Sequence, residues 1–219
     1  MKASFSFLVL FLVLSVSRAA PLERDLGEGL LYYRAHEIPA DLPAAAPKSH
    51  ALVLDLRYTS ATPGGASALA GWMKSRATAD WPVLVILNSE TSPALRAAFA
   101  AGHRPGPGVI TLAPRSSALT PDISLPVSTD ADRRAYDALE HGATVESLVT
   151  ENADKPRHDE AELAHEHANP PPEPDDLDSL ADEPAADKDT PAPPAPIVDR
   201  LLERAIQLHR GLLALHRIS

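Results

Sequence analysis

Apolar residues along the chain gather in short runs separated by polar and Gly/Pro-rich stretches, and the spacing of the runs predicts the elements. The first run, Phe5 to Val16, follows Lys2 and precedes Ser17-Arg18-Ala19. A positive start, a short apolar middle and small residues before a break after Ala19 predict a signal peptide over residues 1–19. The run falls short of the roughly 20 residues of a membrane-crossing helix, and an uncleaved anchor is the alternative. Leu30 to Arg34 and Ala51 to Leu56 read as strands, the second a buried strand of a parallel sheet. Tyr32 and Tyr33 alternate across the first, so one is expected to face inward and one outward. Pro63-Gly64-Gly65 predicts a turn and Ala66 to Arg76 a helix. Val83 to Leu87 is the strongest strand signal, and Thr91 or Ser92 caps a helix through Phe99 with Pro93 in its first turn. Two further strands are expected at 109–112 and 123–127, followed by a helix from Ala131 to Glu140 capped by Asp130. Strands alternating with helices predict an α/β domain over residues 20–168.

The pattern then breaks. Residues 170–196 hold nine Pro and eight acidic residues against Lys188 alone, a composition too poor in apolar surface to offset its ordering entropy. A disordered acidic, Pro-rich linker is expected over 169–196. Beyond it, Val198, Leu201, Ala205, Leu208, Leu212 and Leu215 step by three and four, an apolar seam that predicts an amphipathic helix over 197–219. Such a helix docks on the domain or meets a partner.

Composition narrows the chemistry. The chain of 219 residues has no Cys, which excludes disulfides, thiolate metal sites and a Cys nucleophile. Its net charge of -10 argues against non-specific nucleic-acid binding, which needs Lys and Arg to displace counterions. The linker carries most of that charge, and the rest is near neutral. No cofactor is implied.

Two loops follow the carboxyl ends of predicted strands, where open α/β sheets place ligands. One runs from Asp55 to Gly65, the other from Asn88 to Pro93. The Gly64-Gly65 pair is a candidate oxyanion or cleft loop, and Ser92 a candidate nucleophile at a helix start. Asp55 and Arg57 read as a structural pair at the strand end. Leu52-Val53-Leu54-Asp55-Leu56-Arg57 followed by Pro63-Gly64-Gly65 resembles the strand and loop of the C-terminal-processing (tail-specific) serine proteases, of the Clp protease/crotonase superfamily. Pro82 to Asn88 resembles that family's next strand, Thr91-Ser92 the start of its nucleophile segment, and Thr120-Pro121-Asp122-Ile123 a later strand. The resemblance covers residues 30–140 and implies stacked β-α units.

The departures bear on activity. Six residues separate Arg57 from Gly64, more than the family has, and the nucleophile position falls on Pro93, one past Ser92. No Lys lies between Lys74 and Lys155, so the family's Ser–Lys dyad is not formed there. His103 is a weak substitute in a Gly/Pro turn. Residues 20–29 leave no room for the family's peptide-recognition insert. The resemblance therefore implies an exported, inactive relative that binds a polypeptide or scaffolds another envelope protein, periplasmic or extracellular. The alternatives are a serine hydrolase using Ser92 with the Gly64/Gly65 loop, and a partner-binding protein acting through its C-terminal helix. Further along, His158, Glu162 and His165 share one face if helical and are the metal candidates, although a charged, solvated helix is the expectation.

Overall fold

Runs of Leu, Val and Ile that are apolar at every position, rather than at every second one, fit strands covered on both faces. The computed structural model describes residues 20–43, 46–100, 105–115, 119–149, 196–215 and 217–218. Their elements are strands β1 (Leu22–Asp25), β2 (Leu30–Arg34), β3 (Glu37–Ile38), β4 (Ala51–Asp55), β5 (Ser60–Ala61), β6 (Val83–Ile86), β7 (Val109–Pro114) and β8 (Ile123–Leu125). The helices are α1 (Pro63–Arg76), α2 (Pro93–Ala98), α3 (Thr129–Glu140), α4 (Val145–Leu148) and α5 (Arg200–Ala214). Six strands form one sheet in the order β1-β2-β4-β6-β7-β8, and β3 pairs with β5 in a second, two-stranded sheet. All neighbours in the large sheet are parallel except β1 and β2. The fold is thus α/β with a mostly parallel sheet.

Side-chain alternation divides the core into two layers. On one face Leu52, Leu54, Val83 and Val85 pack against Leu69 and Met73 of α1 and Leu95 of α2. On the other, Val53, Leu84 and Ile86 meet Leu148 of α4 and Leu201, Leu202, Ala205 and Ile206 of α5. Because both faces are covered, Tyr32 and Tyr33 are both buried, and the expected inward/outward split does not occur.

Helix starts follow local chemistry. Thr62, Ser92 and Ser128 each accept a hydrogen bond from the backbone N–H three residues on, capping α1, α2 and α3, and Pro63 and Pro93 occupy first-turn positions. Asp130 therefore lies inside the first turn of α3, where its charge suits the helix dipole, rather than at the cap. The buried stripe of α5 is Leu201, Leu202, Ala205, Ile206 and His209, reaching around the helix past the expected seam, and Leu215 is exposed. Asp199 caps α5 while its carboxylate is held inside the core. The expected signal peptide (1–19), His103, the metal candidates His158, Glu162 and His165, and the expected linker (169–196) apart from Pro196 lie outside the described residues.

Candidate functional site

The carboxyl ends of β2, β4 and β6 bring Arg34, Asp55 and Asn88 to one edge of the sheet. Arg57, two residues past Asp55, turns back over that edge and is fully buried. Its Nε and Nη2 donate to Asp55, its Nη1 to Asp132 Oδ1 at 2.9 Å, and its Nη2 to Asp199 Oδ2 at 2.7 Å. Three carboxylates from β4, α3 and the start of α5 thus surround one guanidinium. The expected Asp55–Arg57 pair is present, and it is the centre of a larger cluster.

A second cation closes the other side. Arg34 Nε donates to the Tyr32 hydroxyl at 3.0 Å, which in turn donates to Asp55 Oδ2 at 2.7 Å. Arg34 Nη1 reaches Glu140 Oε1 at 3.0 Å, and the guanidinium stacks on the Tyr136 ring at 4.0 Å. Asn88 Nδ2 and the Tyr58 hydroxyl both donate to Asp132 Oδ2, at 2.8 and 3.3 Å. Tyr58 sits at a φ of 57°, a left-handed conformation that costs a bulky residue on the order of 1–3 kcal/mol. Its edge-to-face contact with Tyr136, the hydroxyl bond to Asp132 and the Arg133 guanidinium over its ring hold it there.

Charge pairing overrides burial at Asp55 and Arg57, while burial governs the tyrosines. Burial alone raises the Asp55 carboxyl, but Arg57 and then Arg34 outweigh it and hold it at about 2. Burial lowers Arg57, yet Asp199, Asp55 and Asp132 carry it well above the ordinary arginine value. Tyr58 and Tyr136 are pushed up to about 12, each first by burial, with Asp132 adding to the first. Asp55 and Arg57 are thus held ionised at neutral pH, the reverse of a proton-transfer pair, whose groups sit near the working pH.

The two candidate loops are closed by their own hydrogen bonds. Ser92 Oγ accepts from Leu95 N–H at 3.4 Å, capping α2, and the Ser92 N–H donates to Thr59 O at 3.0 Å. Asn88 Oδ1 accepts from the N–H groups of Glu90 and Thr91, and Thr91 Oγ1 donates to Leu56 O. At the other loop, Gly65 N–H donates to the Thr62 hydroxyl at 3.1 Å. The N–H groups of Gly65, Glu90, Thr91 and Ser92 are therefore committed, and an oxyanion would have to displace them. A Cβ at Gly65 would run into the Ile38 carbonyl, so the glycine answers to packing of α1 against β3, and Gly64 is exposed beside it. Between α1 and α2 runs a groove of about 530 Å³ walled by Ala66, Ala70, Ala94, Ala97 and Pro105.

Arg34, Tyr58, Asp132, Tyr136, Glu140 and Asp199 are cluster members that the sequence does not single out. Asp132 falls in register with Ala135, Tyr136 and Leu139, the buried stripe of α3. An acid in an apolar stripe is the signal that could have found it. Asp199 lies between Val198 and Leu201 of the expected seam, where spacing gives no sign that it is buried. Among the described residues, no group of His, Asp and Glu is arranged to hold a metal ion, and no helix is long and apolar enough to cross a membrane.

No protein-family model matches the chain, and no curated protein matches it. A lipoprotein from Streptococcus agalactiae is among the solved structures similar to it, at 14% identity and a TM-score of 0.32. The similarity covers 43% of this chain and 49% of that one, so the chain spans about half the length of that neighbour. A likeness of this size carries neither fold nor function across.

Proposed function

We propose that the protein is an exported, non-catalytic relative of the tail-specific serine proteases that binds a polypeptide or another envelope protein. The observation that carries this reading is the state of Ser92. Its hydroxyl caps its own helix, and among the described residues no base bonds to it. A Ser without an activating base is a poor nucleophile. The strictly sequential order of the parallel strands, with the small β3–β5 sheet beside them, supports stacked β-α units of the Clp protease/crotonase kind.

Binding falls to the groove between α1 and α2, which begins beside the helix starts that follow the two candidate loops. Its walls, small and uncharged among the described residues, admit a polypeptide backbone closely, and its size lies within the range of ligand pockets. Strand addition is less favoured. The edge strand β8 has three residues between Pro121 and Pro126, and β1 presents Glu23, Arg24 and Asp25, both arrangements that discourage pairing. The partner-helix alternative is less favoured, since α5 buries Leu201 and Ala205 of its apolar seam, with Leu202 and Ile206 beside them.

An array of immobilised extended peptides tests the binding half. A subset binds the native protein, and Ala97→Glu, at an exposed groove position, weakens that subset at least about tenfold, equal to about 1.4 kcal/mol. Binding that ignores Ala97→Glu, or no binding to any peptide, contradicts the reading.

A further inference from the structure

We propose that residues 150–198 are an insertion hung from a closed body, so that a cut within them gives a two-chain protein that retains α5 instead of shedding it. This inference is independent of the functional reading above. The two ends of the segment are joined in space: the Asp199 N–H donates to Leu148 O at 2.9 Å. The segment is thus no tether between separate bodies, because it leaves and returns at one point.

What holds α5 lies elsewhere in the chain. Both Asp199 carboxylate oxygens accept from Arg57, at 3.3 and 2.7 Å. Leu201, Leu202, Ala205 and Ile206 are buried in the core layer shared with β2, β4 and β6. At the far end His209 Nε2 hydrogen-bonds Glu28 O at 2.9 Å, and Arg210 pairs with Glu28 at 3.2 Å. Each of these contacts joins the helix to residues 28 to 148. Residues 150–195, by contrast, hold 14 acidic and three basic residues, more than the whole net charge of the protein, leaving 16 acidic and 17 basic residues elsewhere. The charges outside the segment nearly balance, and the apolar layer beneath α5 is built from described residues outside it.

The test inserts a site for a sequence-specific protease between Asp178 and Ser179 of the full chain. After cutting, both fragments co-elute in size exclusion at micromolar protein and separate only in denaturant. The melting temperature of the cut form rises with protein concentration, while that of the uncut form does not. Asp199→Ala in the cut form weakens retention of the helix by about tenfold or more, the effect of losing a charged hydrogen bond. A second arm replaces residues 150–195 by eight Gly/Ser residues and finds the body folded with an unchanged or higher melting temperature. A C-terminal fragment that elutes alone under native conditions overturns the proposal. So does a segment that resists the protease, a cut Asp199→Ala form that holds the helix as tightly as before, or a body that fails to fold with the short linker.

Discussion

Arg57 links β4, α3 and the start of α5 through ion pairs, the only described residue to do so. Removing it leaves Asp55, Asp132 and Asp199 buried around an empty centre, and Arg57→Leu is expected to cost about 3–5 kcal/mol in chemical denaturation. Arg57→Lys recovers little of this, because one ammonium cannot reproduce a fork that meets three carboxylates. Acid acts on the same cluster. Asp55 is held at about 2 in the folded protein against 3.8 when free. Its contribution of about 2–3 kcal/mol is present above pH 3.8 and is lost as pH falls from there through 2. Tyr58 and Tyr136 act in the opposite direction: raised to about 12 when folded, they cost stability as pH climbs from 10 toward 12. Denaturant midpoints measured across pH are therefore flat near neutrality and fall at both ends. The pairing of Asp55 with Arg57 was legible because two residues separate them at a strand end. The partners Asp132 and Asp199 were not, since they lie 75 and 142 residues from Arg57 and only the folded chain brings them near.

At the scale of elements, most of the strands and helices followed from apolar runs and cap residues, and the exceptions have local causes. β1 is charged and exposed, β3 and β5 are two residues each, and α4 has four, so none carries a periodic pattern to read. The seam of α5 is met at Leu201, Ala205 and Leu208, but Leu202, Ile206 and His209 widen the buried face, because spacing alone cannot tell how far the core reaches around the helix. Leu202, fully buried, is expected to cost about 2–5 kcal/mol when changed to Ala, whereas Leu215→Ala, 70% exposed, leaves the denaturation midpoint nearly unmoved. Ser92 behaves as a cap: Ser92→Ala lowers stability by about 0.5–2 kcal/mol in the same measurement. Gly65→Ala forces α1 away from the Ile38 carbonyl and is destabilising, although Gly64→Ala beside it has room.

For the whole molecule, strand order is what the sequence could not specify. The runs predict an α/β sheet, but that β2, β4, β6, β7 and β8 lie side by side in chain order is a property of pairing. The sequential order opens no crevice of the kind formed where strand order reverses, and α3 and α5 cover the carboxyl-end cluster instead. The acidic composition of the segment is plain in the sequence, but not that Leu148 and Asp199, which flank it, are joined by a backbone hydrogen bond. Loop-closure entropy then predicts that shortening it to about five residues stabilises the fold by about 2 kcal/mol, read from the denaturation midpoint. The central claim is that the positions resembling a serine protease have been taken over by structure. Treating the folded protein with a serine-directed phosphonate and measuring its intact mass tests this most directly. The account predicts no adduct at any Ser, whereas one phosphonate per chain on Ser92 would contradict it.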